Sequence, residues 1–180
     1  MYTLFLDTHG ELITVALYNN ENLYIKEKES HYSHAVYFVP MIKEILEENN
    51  LTLKDIKNIV CINGPGSFTG LRIGLSVAKT LAYTLNVPIH LISTLEAYLV
   101  SSPVNSKKLA VIEDNKGYYI MADDIKEEYV LDLSNYIDYT KVEEKLNVPE
   151  VIKKALEKPS TNAHLVRANY VKQIEVDKCK

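Results

Sequence analysis

Four of the chain's six glycines fall between positions 64 and 74, in the stretch INGPGSFTGLRIG (62–74). A turn this rich in glycine can cradle a phosphate, cap a helix, or let two backbones approach closely. Phosphate chemistry would need more than glycine. A Walker A loop ends in lysine followed by serine or threonine, and here Gly70 is followed by Leu71 and Arg72. A dinucleotide fingerprint runs G-x-G-x-x-G after the first strand of a βαβ unit. Gly64, Gly66 and Gly70 run G-x-G-x-x-x-G instead, after at least a fourth strand. What remains is a structural turn from strand to helix. Gly64 and Gly66 let the chain reverse, Pro65 stiffens the reversal, and Ser67 or Thr69 caps the helix.

Other reactive residue types read as structural. Ser67 sits in G-P-G-S-F rather than in the G-x-S-x-G of a nucleophile elbow, and there is no H-E-x-x-H. His31 and His34 lie one helical turn apart and are read as surface or core residues rather than ligands. Asp7, at a strand end, reads as a cap. Cys61 lies in the apolar run NIVCIN and reads as a small core residue; with Cys179 the only other cysteine, there is no C-x-x-C pair. That usage fits a reducing compartment. The first ten residues lack a basic region and a long apolar stretch, and no apolar run approaches the ~20 residues that span a bilayer. The expected location is the cytoplasm, with no membrane role.

The elements that must position these residues are legible from periodicity. The 180 residues are 47% hydrophobic and 24% charged, enough to bury a substantial core in one large domain or two small ones. Net charge is −4, with 10 acidic and 7 basic residues before position 101 and 14 and 13 after it. Unaided nucleic-acid binding normally calls for a basic surplus, so any role on RNA would need a basic partner. Segments 2–7, 11–18 and 22–28 alternate as a three-stranded antiparallel meander. Val36, Val39, Ile42, Ile45 and Leu46 recur at helical spacing over about 33–48. IKNIVCI (56–62) reads as a strand buried on both faces. After the glycine turn, 71–86 reads as a helix, 88–92 as a strand, and 93–101 as a helix with a Ser93/Glu96 capping box. The polar stretch SSPVNSKK (101–108) is the best boundary. Three more strands follow (KLAVIED, GYYIMAD, EEYVLDL), then a helix over 147–158 with Pro149 in its first turn. The two halves begin alike, which suggests a duplicated α/β plan abbreviated in its second copy.

Gly70, Gly74, Ala78 and Ala82 fall at intervals of four. On a helix such residues drift only about 40° per step and form one slowly winding strip. Glycine inside a helix costs about 1 kcal/mol against alanine, so Gly74 requires a compensating contact. Either this chain's own sheet or a partner's helix could supply it.

These residues also carry a resemblance. GPGSFTGLRIGLSVAKTLAYTLNVPIHLISTLEAYL (64–99) resembles the signature of the TsaB (YeaZ) family, glycoprotease-like subunits of the bacterial machinery for threonylcarbamoyladenosine (t6A) in tRNA. The similarity extends to FLDTHGELITVAL, to HAVYFVPMIKEIL (34–46), and more thinly to AVIEDNKGYYIMA and HLVRANY.

The resemblance implies an α/β fold of the actin, sugar-kinase and Hsp70 (ASKHA) type: two lobes with mixed five-stranded sheets, the second abbreviated. Residues 1–103 would form the first lobe and 104–180 the second. It implies a non-catalytic subunit, a scaffold and activator that binds a TsaD-type catalytic subunit. ATP and metal would sit on that partner and no cofactor on this chain alone. Catalytic relatives carry an H-x-x-x-H metal pair where this chain has Thr94 and Tyr98. The turn Asp7-Thr8-His9-Gly10 matches a phosphate hairpin, with His9 replacing a small residue, and only Gly117 follows Gly74. In the family a helix pair meets its counterpart in a second subunit. That implies an interface of Val36, Val39, Lys43, Gly70, Arg72, Gly74, Ala78 and Ala82, serving a homodimer alone and the TsaD-type subunit in the complex. A TsaE-type ATPase would join a larger assembly, with tRNA reached only through the complex. The alternative is a free-standing ASKHA-type ATPase or kinase, or a glycoprotease-like peptidase.

Overall fold

The computed structural model describes residues 1–30 and 33–171; His31, Cys179 and the last residues of the tail lie outside that range. The first sheet is built from β1 (Tyr2–Asp7), β2 (Leu12–Tyr18), β3 (Leu23–Glu29), β4 (Ile56–Ile62) and β5 (Ile89–Ile92). Its order is β3-β2-β1-β4-β5, antiparallel through the opening meander and parallel from β1 through β4 to β5. The central strands are apolar on both faces because both are covered. Leu4, Leu6, Ile59 and Cys61 face one core, while Phe5, Val60 and Ile62 face another.

The first core is closed by α1 (His34–Glu48) and α2 (Phe68–Leu85). Helix α2 is well specified. The Ser67 side chain accepts from Gly70 N–H at 3.2 Å, and Asn86 ends the helix in the left-handed conformation. Helix α1 has no side-chain cap and carries Pro40 in its interior. A proline there cannot donate to the carbonyl four residues back and costs about 3 kcal/mol. Burial of Phe38, Met41, Ile42, Ile45 and Leu46 offsets it, at about 1.5–3 kcal/mol for each fully buried side chain.

The second sheet is the abbreviated one. It comprises β6 (Lys108–Asp114), β7 (Gly117–Ala122), β8 (Ile125–Val130) and β9, of two residues (Thr140–Lys141), in the order β8-β7-β6-β9. Between the sheets lies α3 (Thr94–Ser101), which has no polar face. Ala97 packs into the first lobe, while Leu95, Tyr98 and Leu99 pack with Ala110 and Val142 of the second.

The chain then returns. Helix α4 (Val148–Leu156) places Val151, Ile152 and Ala155 against Phe5, Val60 and Ile62, under the first sheet. The segment beyond it bonds Thr161 N–H to Ile89 O at 2.7 Å and Asn169 N–H to Asn63 O at 2.7 Å. Part of the second half of the sequence thus completes the core of the first lobe.

Candidate functional site

The glycine turn is a mould for the β1–β2 turn. Gly64 has φ of 109°, which side chains seldom adopt. A Cβ built on Gly66 would lie 2.5 Å from His9 O, on Gly70 2.1 Å from Thr8 O, and on Gly74 2.2 Å from Thr8 Oγ1. Hydrogen bonds fasten the contact: Ser67 N–H donates to His9 O at 2.6 Å, and Thr8 Oγ1 donates to Gly70 O at 2.8 Å. Ser67 is the cap; Thr69 lies exposed in the first helical turn.

This corrects the expectation for the small-residue strip. Gly70, Gly74, Ala78 and Ala82 are buried within the chain itself, Ala78 at 0% exposure. The first two meet the β1–β2 turn, and the two alanines belong to the core between α2 and the first sheet. The strip is therefore taken up by this protein's own fold and is not presented to a partner.

The outward faces of α1 and α2 have the opposite character. Val36 is 65% exposed, Val39 54% and Phe68 54%. Arg72 and Lys43 are exposed beside them. The Arg72 guanidinium lies 3.7 Å from the Phe68 ring centroid, and the Tyr170 ring stands 6.1 Å from the same ring. Between the helices runs a groove of about 640 Å³, walled by Val39, Ile42, Leu46, Leu51, Val77 and Leu81. A hollow of about 530 Å³ against Phe68, Arg72 and Ile73 continues it, sharing Val39 and Val77. Contiguous exposed apolar surface of this kind marks interaction sites on soluble domains. Phe68, Ile73, Val77 and Tyr170 are members that the sequence reading did not single out.

On the other side of the β1–β2 turn is the cleft between the lobes, about 720 Å³. At its base a hydrogen-bonded chain links Asp7, His9 and Tyr98. His9 Nδ1 lies 2.8 Å from Asp7 Oδ1, and His9 Nε2 lies 2.8 Å from the Tyr98 hydroxyl. With a neutral ring, Nδ1–H donates to the carboxylate and Nε2 accepts the phenol proton. Burial opposes the imidazolium, but the charge and hydrogen bond of Asp7, helped by the charge of Glu144, prevail and raise the His9 pKa. Burial, with the charges of Asp7 and Glu144, also raises the Tyr98 phenol. Asp7 Oδ1 further accepts from His9 N–H at 2.9 Å, closing the turn. The signal for this site was His9 itself, an unusual residue in such a hairpin; its partner Tyr98 is distant in sequence.

The two positions that match the metal histidines of catalytic relatives are engaged internally. Thr94 is buried and donates to Pro65 O at 2.7 Å, and Tyr98 meets His9. His34 is likewise structural, its Nε2 lying 2.8 Å from Gly10 O. Among the described residues no group of three or more His, Cys, Asp or Glu side chains could hold a metal ion. Nor is any helix among them long and apolar enough to cross a membrane.

The family model of TsaD, tRNA N6-adenosine threonylcarbamoyltransferase, matches residues 25–172. The chain belongs to this family. Within it the chain stands with the TsaB (YeaZ) proteins. It is 37% identical over 118 residues to the tRNA threonylcarbamoyladenosine biosynthesis protein TsaB of Buchnera aphidicola subsp. Baizongia pistaciae, covering 63% of this chain and 53% of that one. To TsaB of Escherichia coli (strain K12) it is 36% identical over 95 residues, or 53% of this chain and 41% of that one. The chain thus spans about half the length of the curated relatives it matches. A crystal structure from Pseudomonas aeruginosa, of a protein with similarity to the peptidase YeaZ, superposes with a TM-score of 0.78 at 20% identity, covering 95% of this chain and 99% of that one. The TsaB-like fold is thereby shown, with its abbreviated second lobe.

Proposed function

We propose that the chain is a non-catalytic activating subunit in the synthesis of t6A at position 37 of tRNA, and that it docks a TsaD-type catalytic subunit through the outward faces of α1 and α2. The observation that carries this reading is the exposed apolar surface of Val36, Val39 and Phe68, flanked by Lys43 and Arg72, over a groove that none of the described residues fills. Alone, the protein pairs with a second copy through the same face. A TsaE-type ATPase joins the larger assembly, and tRNA is reached only through the complex. The cleft supports a non-catalytic role. Where nucleotide-binding relatives would hold phosphates, this one is lined by Glu11, Glu113, Asp114 and Glu144. Carboxylates facing a polyphosphate repel it.

Two measurements test the proposal. Mass spectrometry of tRNA nucleosides from a depleted strain should show loss of t6A, restored by the wild-type chain. The purified chain alone should turn over neither ATP nor peptide. Unchanged t6A in the depleted strain would remove the reading.

A further inference from the structure

The β1–β2 turn touches both the cleft and both docking helices. On the helix side it is pinned at three points: its backbone by Ser67 N–H at His9 O and by His34 of α1 at Gly10 O, and its Thr8 hydroxyl by donation to Gly70 O of α2. Three glycines leave no slack between this turn and α2, because even a Cβ would overlap it. On the cleft side the His9 side chain holds the same turn, between Asp7 and Tyr98. Tyr98 in turn belongs to α3, the helix that seats the second sheet.

We propose that His9 is a positioning residue that links the interlobe cleft to the docking face, the β1–β2 turn transmitting its state to the first turns of α2. The proposal rests on the docking reading above for its consequence, but not for its geometry. Proton binding changes what His9 does at one end only. Nδ1 keeps Asp7 in both states, whereas Nε2 changes from accepting the Tyr98 proton to donating toward the Tyr98 oxygen. Tyr98 must then direct its own proton elsewhere in the cleft, and the turn adjusts between α3 and α2. Asp7 of β1 and Tyr98 of α3 bond His9, and the titratable groups that line the cleft around it include Glu11 just before β2 and His34 of α1. The second lobe adds Glu113 and Asp114 of β6, Tyr119 of β7, and Glu144 before α4.

The first test uses the chain alone and reads amide and imidazole resonances by NMR across pH. Ser67, Gly70 and Gly74 amides should shift with the same midpoint as the His9 ring. They should keep still in His9→Gln, while His34→Gln should leave the His9 midpoint visible at those amides. A His9 ring that titrates while the α2 amides stay silent would overturn the link. The second test measures the Kd for the TsaD-type subunit. Tyr98→Phe, which removes one oxygen at the base of the cleft, should weaken binding by about fivefold or more, the range of modest coupling between sites. Unchanged affinity in Tyr98→Phe, with Arg72→Glu abolishing binding, would overturn the link while leaving the docking face in place. Full binding in Arg72→Glu would instead strike at the docking reading, and the NMR result would still decide the link.

Discussion

Helix α2 presents two faces that look similar as sequence and differ as structure. One carries Gly70, Gly74, Ala78 and Ala82, and it is pressed against the β1–β2 turn and the first sheet. The other carries Phe68, Arg72 and Ser76, exposed beside Val36 and Val39 of α1. A strip of small residues records a close approach, but does not say by whom. Here the approach is internal, because the Thr8 hydroxyl and the His9 carbonyl find their hydrogen-bonding partners on the backbone of Gly70 and Ser67. Large apolar side chains left in water record a second surface that must come from outside. Shape complementarity within the chain and unsatisfied apolar area on its surface are thus divided cleanly between two sides of one helix.

The sharpest way to break this contrast is to add volume or charge to the inner face. Ala78→Arg should abolish the cooperative fold, since it overpacks a core and buries an unpaired charge. Gly70→Val should cost about 3 kcal/mol or more, because its Cβ meets a backbone oxygen that cannot swing away. Urea denaturation followed by circular dichroism checks both, and native-like midpoints would return the strip to the surface. On the outer face the effects should reverse in kind. Val39→Asp and Arg72→Glu should change stability within about 0.5 kcal/mol while removing homodimerisation, read by light scattering at matched concentrations.

The cleft gives a weaker, pH-dependent effect. The folded-state pKa of His9 is raised, so its contribution to stability is fully present below the unfolded value of about 6.5 and is lost as pH rises through the folded pKa. Melting temperature should therefore decline over that window, and His9→Gln should flatten the decline. A wild-type profile no steeper than that of His9→Gln would contradict the Asp7–His9 pairing. The smallest effect expected is the cap: Ser67→Ala should cost about 1 kcal/mol, whereas Thr69→Ala should stay within about 0.5 kcal/mol. Equal costs would mean that the helix starts elsewhere.

Much of the scaffold was legible because its periodicities are strong. IKNIVCI, the opening meander, α1 and the Pro149-led α4 all lie where alternation, helical spacing and capping residues put them. What escaped reading depends on contacts between distant residues. Strand β9 is two polar residues set by bonds from Thr140 N–H to Lys107 O and from Val142 N–H to Leu109 O, and the returning segment is fixed by bonds from Thr161 to Ile89 of β5 and from Asn169 to Asn63 just past β4. Neither has a period of its own. The Asp7–His9–Tyr98 chain escaped for the same reason, since no local pattern places Tyr98 beside His9. The exposed face of α1 was half legible: Val36 and Val39 fitted the helical period, yet only burial separates them from Ile42 and Ile45 on the same helix.

On the proposed reading, the outer face of α1 and α2 receives the catalytic subunit. Isothermal titration of the TsaD-type protein from the same organism tests it most directly, using the wild-type chain and the folded double variant Val39→Asp/Arg72→Glu. The wild type should bind saturably, one to one, and the variant not at all, with both showing the same circular dichroism spectrum. Equal affinity of the two proteins would contradict it and place the partner on another surface.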